Sequence, residues 1–548
     1  MNIDLLFQTK PKDTQTILKR YPKRELAPNA KVTRIAPSPT GFVHIGTVYS
    51  ALISERLAHQ SNGVFFLRIE DTDKKREVDG APDLIVKSLT HYGIAMDEGR
   101  IVSGKEIGEY GPYLQSERKA IYHSFAYELA SRGRAYPCFC TTEELESSRK
   151  NQEGLKIRPG YYAEFATCRN FTDEQIEKKI AEKKPFVLRF KSEGNFDNKI
   201  HVNDLIKGDR ELSQNDQDIV IIKSDGLPTY HFAHAVDDHL MGTTDVIRGD
   251  EWFSSLPLHI ELFEALGFPL PRFGHLAPIQ KMDGSSRRKL SKRKDKEADV
   301  AFYQAEGYPV EAVVEYILNL ANSNFEDWRK ANPLTDNREF MLTLEKLSHT
   351  GGSLFDIVKL KSISKEIISQ FSTNEVYKRA LEWATTYDPI IADEIQKNPS
   401  YTKQIFSIER TGAEKVRKDI GQWSDLMQEI GYFYDSFFIP KRDELQALLT
   451  GIELEIIEKS LDLFFATYNE KDDKDTWLEK MRTVALTLGY APTTKELKAA
   501  PAKFKGSISE ITKIFRVFLT GKAQTPDLYE IMKVMGSARV IQRLKMPE

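Results

Sequence analysis

Arg34-Ile35-Ala36-Pro37-Ser38-Pro39-Thr40-Gly41-Phe42-Val43-His44-Ile45-Gly46-Thr47 runs from a short apolar strand through a Pro/Ser/Gly loop into a His-x-Gly pair that opens a helix. That order aims backbone N–H groups, a helix N-terminus and an imidazole at one point, where an anionic phosphate is stabilised by free amides and by the helix dipole. Gly41 and Gly46 carry no Cβ, so a bulky ligand can approach the backbone closely. A His-x-Gly tripeptide alone is weak evidence, because it arises by chance in any long chain. This one has a distant partner, Lys289-Leu290-Ser291-Lys292-Arg293, a second candidate for holding phosphate.

Outward from this stretch the pattern is α/β. A strand over 32–35 leads to a helix over about 44–59, which Ser61-Asn62-Gly63 ends. A second strand over 63–69 stops at the acidic Glu70-Asp71-Thr72-Asp73. Strand, helix and strand at this spacing predict parallel pairing with a right-handed crossover. Ligands of such sheets bind beyond the carboxyl ends of the strands, where 38–44 and 70–73 both fall. From about 111 to 226 the texture changes to short helices and charged loops. Alternation then returns at 218–223 and in the strand 245–248, followed by an amphipathic helix over 256–266. Residues 111–226 therefore read as an insertion between two halves of one sheet.

The 548 residues exceed what one hydrophobic core organises and predict roughly three to five domains. With 40% hydrophobic and 29% charged residues the composition is that of a soluble globular protein, and no apolar run is long enough to span a bilayer. Three cysteines build no disulfide framework, and the N-terminus has no apolar signal region, so the expected location is the cytoplasm. A net charge of −3 does not suggest nucleic acid, but seven of the ten residues from 287 to 296 are basic. Following the strand-like 273–279, this run is placed to meet a polyphosphate or RNA.

After about 352 the chain is almost all helix. Ser507-Ile508-Ser509-Glu510 is a capping box, and Ile508, Ile511, Phe515, Phe518 and Leu519 share one face of the helix it opens, which stops at Gly521. Ile457, Leu461, Phe464 and Phe465 form a second core stripe. Thr525-Pro526-Asp527 predicts a further helix with Thr525 as cap and Pro526 at its first position.

The two basic and glycine-rich stretches resemble the signature sequences of class I aminoacyl-tRNA synthetases, and the wording of the first resembles glutamyl-tRNA synthetases. So do Arg68-Ile69-Glu70-Asp71-Thr72-Asp73, the motif from Gly111 to Arg118, Ser224-Asp225-Gly226-Leu227-Pro228-Thr229-Tyr230-His231, the motif from Val236 to Gly242, Val246-Ile247-Arg248-Gly249-Asp250-Glu251-Trp252, and the C-terminal motif from Leu528 to Gly536. The resemblance covers about residue 31 onward. It implies an α/β protein with a Rossmann-type parallel-sheet catalytic domain in two halves, 31–110 and 227–280, split by an acceptor-end-binding insertion, 111–226. A stem-contact region with the basic loop, 281–351, and an all-α anticodon-binding region, 352–548, follow. Residues 1–30 are then an extension packed outside the catalytic domain.

The implied activity is ATP-dependent activation of L-glutamate and its transfer to the terminal adenosine of tRNA(Glu) by a monomer, with ATP arriving as its Mg²⁺ complex and no membrane partner. Carried over residue by residue, His44 and Lys292 are the catalytic pair. Ser38, Thr40, Gly41, His44, Gly46, Glu251, Lys289, Ser291 and Lys292 face ATP. Arg34, Ala36, Ser38, Glu70, Tyr230, His234 and Arg248 form the glutamate pocket, with Arg34 and Arg248 as guanidinium forks for the side-chain carboxylate and Glu70 for the ammonium group. The chain departs from the family at Thr47, where a second histidine is common, at His234, where many relatives have asparagine, and at Leu290, where methionine is frequent.

Cys138, Cys140 and Cys168 resemble a zinc knuckle of some relatives, with Glu164 at the place of the fourth ligand. A Cys₃Glu set is unusual for structural zinc, so metal is not favoured. Two alternatives stay open. A glutaminyl-tRNA synthetase is expected to carry Glu-Pro-Asn-Gly at 38–41 and a β-barrel C-terminal region. A non-catalytic tRNA-binding paralogue is expected to have lost His44, Lys292 or Arg248.

Overall fold

The computed structural model describes residues 2–347, 352–410 and 412–545. The expected boundary at 351 lies outside the described residues. The chain forms two compact units, Met1–Phe302 with Val314–Asp356, and Tyr303–Val313 with Ile357–Glu548.

In the first unit the strand Val32–Ile35 pairs in parallel with Val64–Leu67, from Val32 opposite Val64 to Ile35 opposite Leu67. The crossover is the helix Ile45–His59. Val48, Ala51, Leu52, Ile53, Leu57 and Ala58 are all buried, because the helix is enclosed on most sides and needs no polar face. Glu98–Arg100 joins in parallel and Glu106–Ile107 closes that edge antiparallel. The second sheet runs Asp245–Gly249, Arg272–Leu276, Lys199–Asp204 and Gly208–Ser213, the first two parallel around the crossover helix Leu256–Leu266. The two sheets meet at one seam, where Val32 N donates to Thr244 Oγ1 at 2.8 Å and Thr244 N donates to the Val32 carbonyl at 2.9 Å.

The insertion is richer in strands than its sequence indicates. Ala135–Cys138, Val187–Phe190 and Val220–Ile222 make an antiparallel sheet of their own. The hairpin Lys199–Ser213 leaves it to complete the second sheet, with Asp204 in register with Phe273. The N-terminal extension is likewise built in rather than laid outside. Leu6, Ile17 and Tyr21 are buried in one core with Phe66, Tyr122 and Phe125. Arg24 grips both Glu98 oxygens at 2.7 Å and the Met241 carbonyl at 2.8 Å.

The second unit is helical, and its core gathers Ile457, Leu461 and Phe464 with Ile511, Phe515, Phe518 and Leu519. The Ser507 capping box is formed, and the helix Ile508–Thr520 ends at Gly521 in the left-handed conformation. One expectation is corrected. The cap of Leu528–Met535 is Asp527, whose side chain accepts from Glu530 N at 3.0 Å; Pro526 precedes the cap, and Thr525 is bonded to Arg516. A carboxylate at the helix N-terminus is the better acceptor there. Among the described residues no helix is long and apolar enough to cross a membrane.

Candidate active site

His44 is the N-cap of Ile45–His59, and its Nδ1 accepts from Gly46 N at 2.8 Å. A Cβ at position 46 would lie 2.9 Å from that ring nitrogen, so glycine is what allows the imidazole to fold over the helix end. Gly41 in the loop before it has φ +114°, a conformation that disfavours other residues. Because Nδ1 accepts, the ring proton of the neutral imidazole belongs on Nε2. Burial first, and then the charge of Lys292, push the His44 pKa down, so the ring is neutral near pH 7.

The two signature stretches converge. Lys292 Nζ donates to the Phe42 carbonyl at 3.1 Å and lies 4.6 Å from the Phe42 ring centre. Lys289 pairs with Glu251 at 3.2 Å. The basic loop follows the hairpin Gln280–Asp283 with Ser286–Lys289, and Asp295 braces it by accepting from both Arg288 Nη atoms and from Ser291 N. Ser38 and Thr40 are exposed on the facing loop, and the Pro37 carbonyl accepts from Glu70 N at 3.0 Å, which sets Ala36 and Ser38 beside the second strand.

Behind this opening lies a buried charge network. Arg34 Nε faces both Asp238 oxygens at 3.3 Å, and its Nη1 donates to the Ile247 carbonyl at 3.3 Å. Arg68 donates to Asp238 at 2.7 Å and to Glu70 at 3.2 Å, and Arg118 donates to Asp237 at 2.7 Å. Glu70 is pushed up to about 7 by burial, against the pull of Arg68 and Arg34. Tyr230 packs on Trp252 with ring centres 4.1 Å apart and lies parallel to the His234 ring at 5.7 Å. His234 Nδ1 is 2.6 Å from Asp238, yet burial holds its pKa down to about 3.

Arg248 is next to last in its strand, beside Tyr230, and is 5% exposed. Its Nε donates to His275 Nε2 at 2.9 Å, and Nη2 lies 3.0 Å from His259 Nδ1. Its Nη1 is buried with no hydrogen-bond partner. The resemblance groups Arg34, Glu70, Tyr230, His234 and Arg248; the charges of Arg248, Glu70 and Arg34 all act on the buried Tyr230, which lies against the His234 ring. Sequence reasoning did not find Arg68, Asp237 and Asp238 as a network, although all three stand in the quoted motifs. Asp204, His259 and His275 carried no signal at all.

The three cysteines converge in the insertion, their sulfurs all within 4.8 Å of one another. Cys140 and Cys168 sulfurs are 3.6 Å apart. Glu164 is not in that group. The Tyr161 hydroxyl is there instead, 3.3 Å from the sulfurs of both Cys138 and Cys140.

Residues 31–361 match the family model described as tRNA synthetases class I (E and Q), catalytic domain, and residues 375–546 match an anticodon binding domain. The chain is 46% identical over 542 residues to a glutamate–tRNA ligase of Clostridium perfringens, covering 99% of this chain and 98% of that protein. It is 45% identical over 541 residues to the same enzyme of Clostridium beijerinckii, covering 98% of each. A crystal structure of a glutamate tRNA ligase from Elizabethkingia meningosepticum in complex with its amino acid superposes with a TM-score of 0.74 at 27% identity, covering 94% of this chain and 98% of that one.

Proposed function

The chain belongs to the class I tRNA synthetases for glutamate and glutamine, and we infer from its pocket how it selects and activates its amino acid. It is an ATP-dependent ligase that joins glutamate to tRNA. The observation that carries the choice of glutamate is the buried, unpartnered Nη1 of Arg248, a cationic donor left for a substrate carboxylate. Glu70 lies across the pocket to accept from the ammonium group, and Tyr230, packed on Trp252, forms a wall between them. His234, buried against Asp238, supports Tyr230 rather than reaching the substrate.

In the first step an oxygen of the glutamate α-carboxylate bonds to the α-phosphorus of ATP, and the bond to the β-phosphate breaks to release pyrophosphate. Little covalent work falls to the protein; alignment and charge stabilisation do most of it. His44 and Lys292 are assigned to the phosphates. In the second step a hydroxyl of the terminal adenosine of tRNA(Glu) attacks the adenylate carbonyl and AMP leaves. The helical unit is the part that reads the anticodon. With tRNA present, the purified protein is expected to exchange pyrophosphate into ATP with glutamate and not with glutamine. Equal exchange with glutamine would favour the glutaminyl alternative.

Glutamate binding is expected to weaken as pH falls below about 7, because a Glu70 carboxyl raised to about 7 protonates there and loses its charge for the ammonium group. One pH unit below that value the loss is about tenfold. Calorimetric titration across the range checks it. Glu70→Gln should bind weakly and lose this pH dependence, and an unchanged profile in that variant would remove Glu70 from the pocket.

Against the expectation from a Cys₃Glu set, the closeness of the three sulfurs favours a structural zinc held by Cys138, Cys140 and Cys168, since Zn–S bonds of about 2.3 Å in a tetrahedron put sulfurs about 3.8 Å apart. About one zinc per chain is the expected result of elemental analysis, lost in Cys140→Ser with Cys168→Ser. Metal-free protein with three freely titrating thiols would reject this assignment.

A further inference from the structure

Four buried arginines belong to the pocket and the charge network behind it, and three of them are neutralised. Arg34 is held by Asp238, Arg68 by Asp237, Asp238 and Glu70, and Arg118 by Asp237. Among the described residues Arg248 forms no ion pair; its protein partners are the imidazoles of His275 and His259, the Tyr230 hydroxyl and the Phe273 ring, none of which carries a negative charge. We propose that His275, oriented by Asp204, and His259, backed by His231, are positioning residues that hold Arg248 without neutralising it and thereby set the preference for a carboxylate side chain over an amide. The proposal rests on Arg248 being the partner of the substrate side chain.

The hydrogen bonds fix every proton. The Asp204 carboxylate only accepts, so at 2.6 Å from it His275 Nδ1 carries the hydrogen and Nε2 presents a lone pair to Arg248. Arginine only donates, so His259 Nδ1 is an acceptor and its hydrogen is on Nε2, 2.9 Å from His231 Nδ1. Both rings that touch Arg248 are therefore neutral acceptors, and burial pushes the His231, His259 and His275 pKa values down, which keeps them so. Asp204 is itself held by Ile206 N and Lys207 N, so the far end of the chain is anchored in backbone.

A carboxylate in either histidine position would hold the guanidinium equally well. It would also supply the negative charge that the substrate is meant to bring. A glutamate side chain would then meet a neutral ion pair, and a neutral glutamine would lose less. Imidazole accepts a hydrogen bond without that charge, so the cradle separates the orientation of Arg248 from its neutralisation.

His259→Gln and His259→Glu share size and shape and differ in charge, so a purely structural role would move both alike. The ratio of kcat/KM for glutamate to that for glutamine is measured by tRNA-dependent pyrophosphate exchange on the full chain, with the KM for ATP and the melting temperature as controls. His259→Gln should keep the ratio within a few-fold of the parent. His259→Glu should lower it at least tenfold, through the KM for glutamate, with ATP unaffected. The same pair at His275 serves if His259→Glu does not fold. Equal ratios in the Gln and Glu variants overturn the proposal, and if Arg248→Gln is crippled with glutamate in the same assay, the role of Arg248 survives. Intact glutamate use by Arg248→Gln overturns both.

Discussion

Arg248→Gln is expected to lower kcat/KM for glutamate by two to three powers of ten while the KM for ATP changes little. A side-chain carboxylate leaving water needs a cation, and breaking a buried charge pair by deleting one partner costs about 3–5 kcal/mol. Glutamine retains one donor and loses the charge and the fork. The two histidines that faced separate guanidinium nitrogens are also left with a single amide nitrogen between them. Use of uncharged amino acids should therefore suffer less than use of glutamate. Steady-state kinetics at saturating ATP and tRNA decide it, and an efficiency with glutamate within a few-fold of the parent would place Arg248 outside the pocket.

His44→Ala and Lys292→Ala should each slow adenylate formation by about a hundred- to a thousandfold, or ~3–4 kcal/mol, with much smaller effects on glutamate affinity. Both groups act on charge that grows on the phosphate oxygens in the transition state. His44→Ala also removes a helix cap, which costs about 1 kcal/mol of stability in addition. His44→Asn separates the two roles, because asparagine is a good N-cap and restores the bond to Gly46 N without an imidazole. Single-turnover activation should show His44→Asn with near-parental melting and an alanine-like rate. A parental rate in that variant would reduce His44 to its capping role.

The elements that carry the first signature were legible because local chemistry and tertiary placement agree there. An apolar run, a glycine loop and a capping side chain announce 32–59, and the parallel register with 64–67 follows from the short crossover. The hairpin Lys199–Ser213 was not legible. Its alternation is weak, and both edges carry charge at Lys199, His201, Asp209, Arg210 and Glu211. Its membership of the second sheet depends on a partner strand in which Phe273 pairs with Asp204, 69 positions away. The cradle of Arg248 was hidden for the same reason. His275 and Asp204 are 71 positions apart, and a lone histidine in a strand looks like any other buried one. In the insertion, the resemblance to a zinc knuckle pointed to the three cysteines, but the fourth group depends on a turn that presents Tyr161 and not Glu164.

The seam between Val32 and Thr244 joins residues 212 positions apart. A ribosome adding about 5–20 residues per second takes on the order of ten to forty seconds to cover that distance. During this interval the first strand–helix–strand segment has emerged with Arg34 and Arg68, and the carboxylates of Asp237 and Asp238 do not yet exist. Arg34 then has no carboxylate partner and Arg68 has only Glu70, and burying an unpaired cation is costly, so this segment cannot close as a unit of its own. The nascent catalytic domain must wait for its second half, and stalled chains ending before Asp237 should be cut rapidly by protease where chains extending past the strand Arg272–Leu276 are protected.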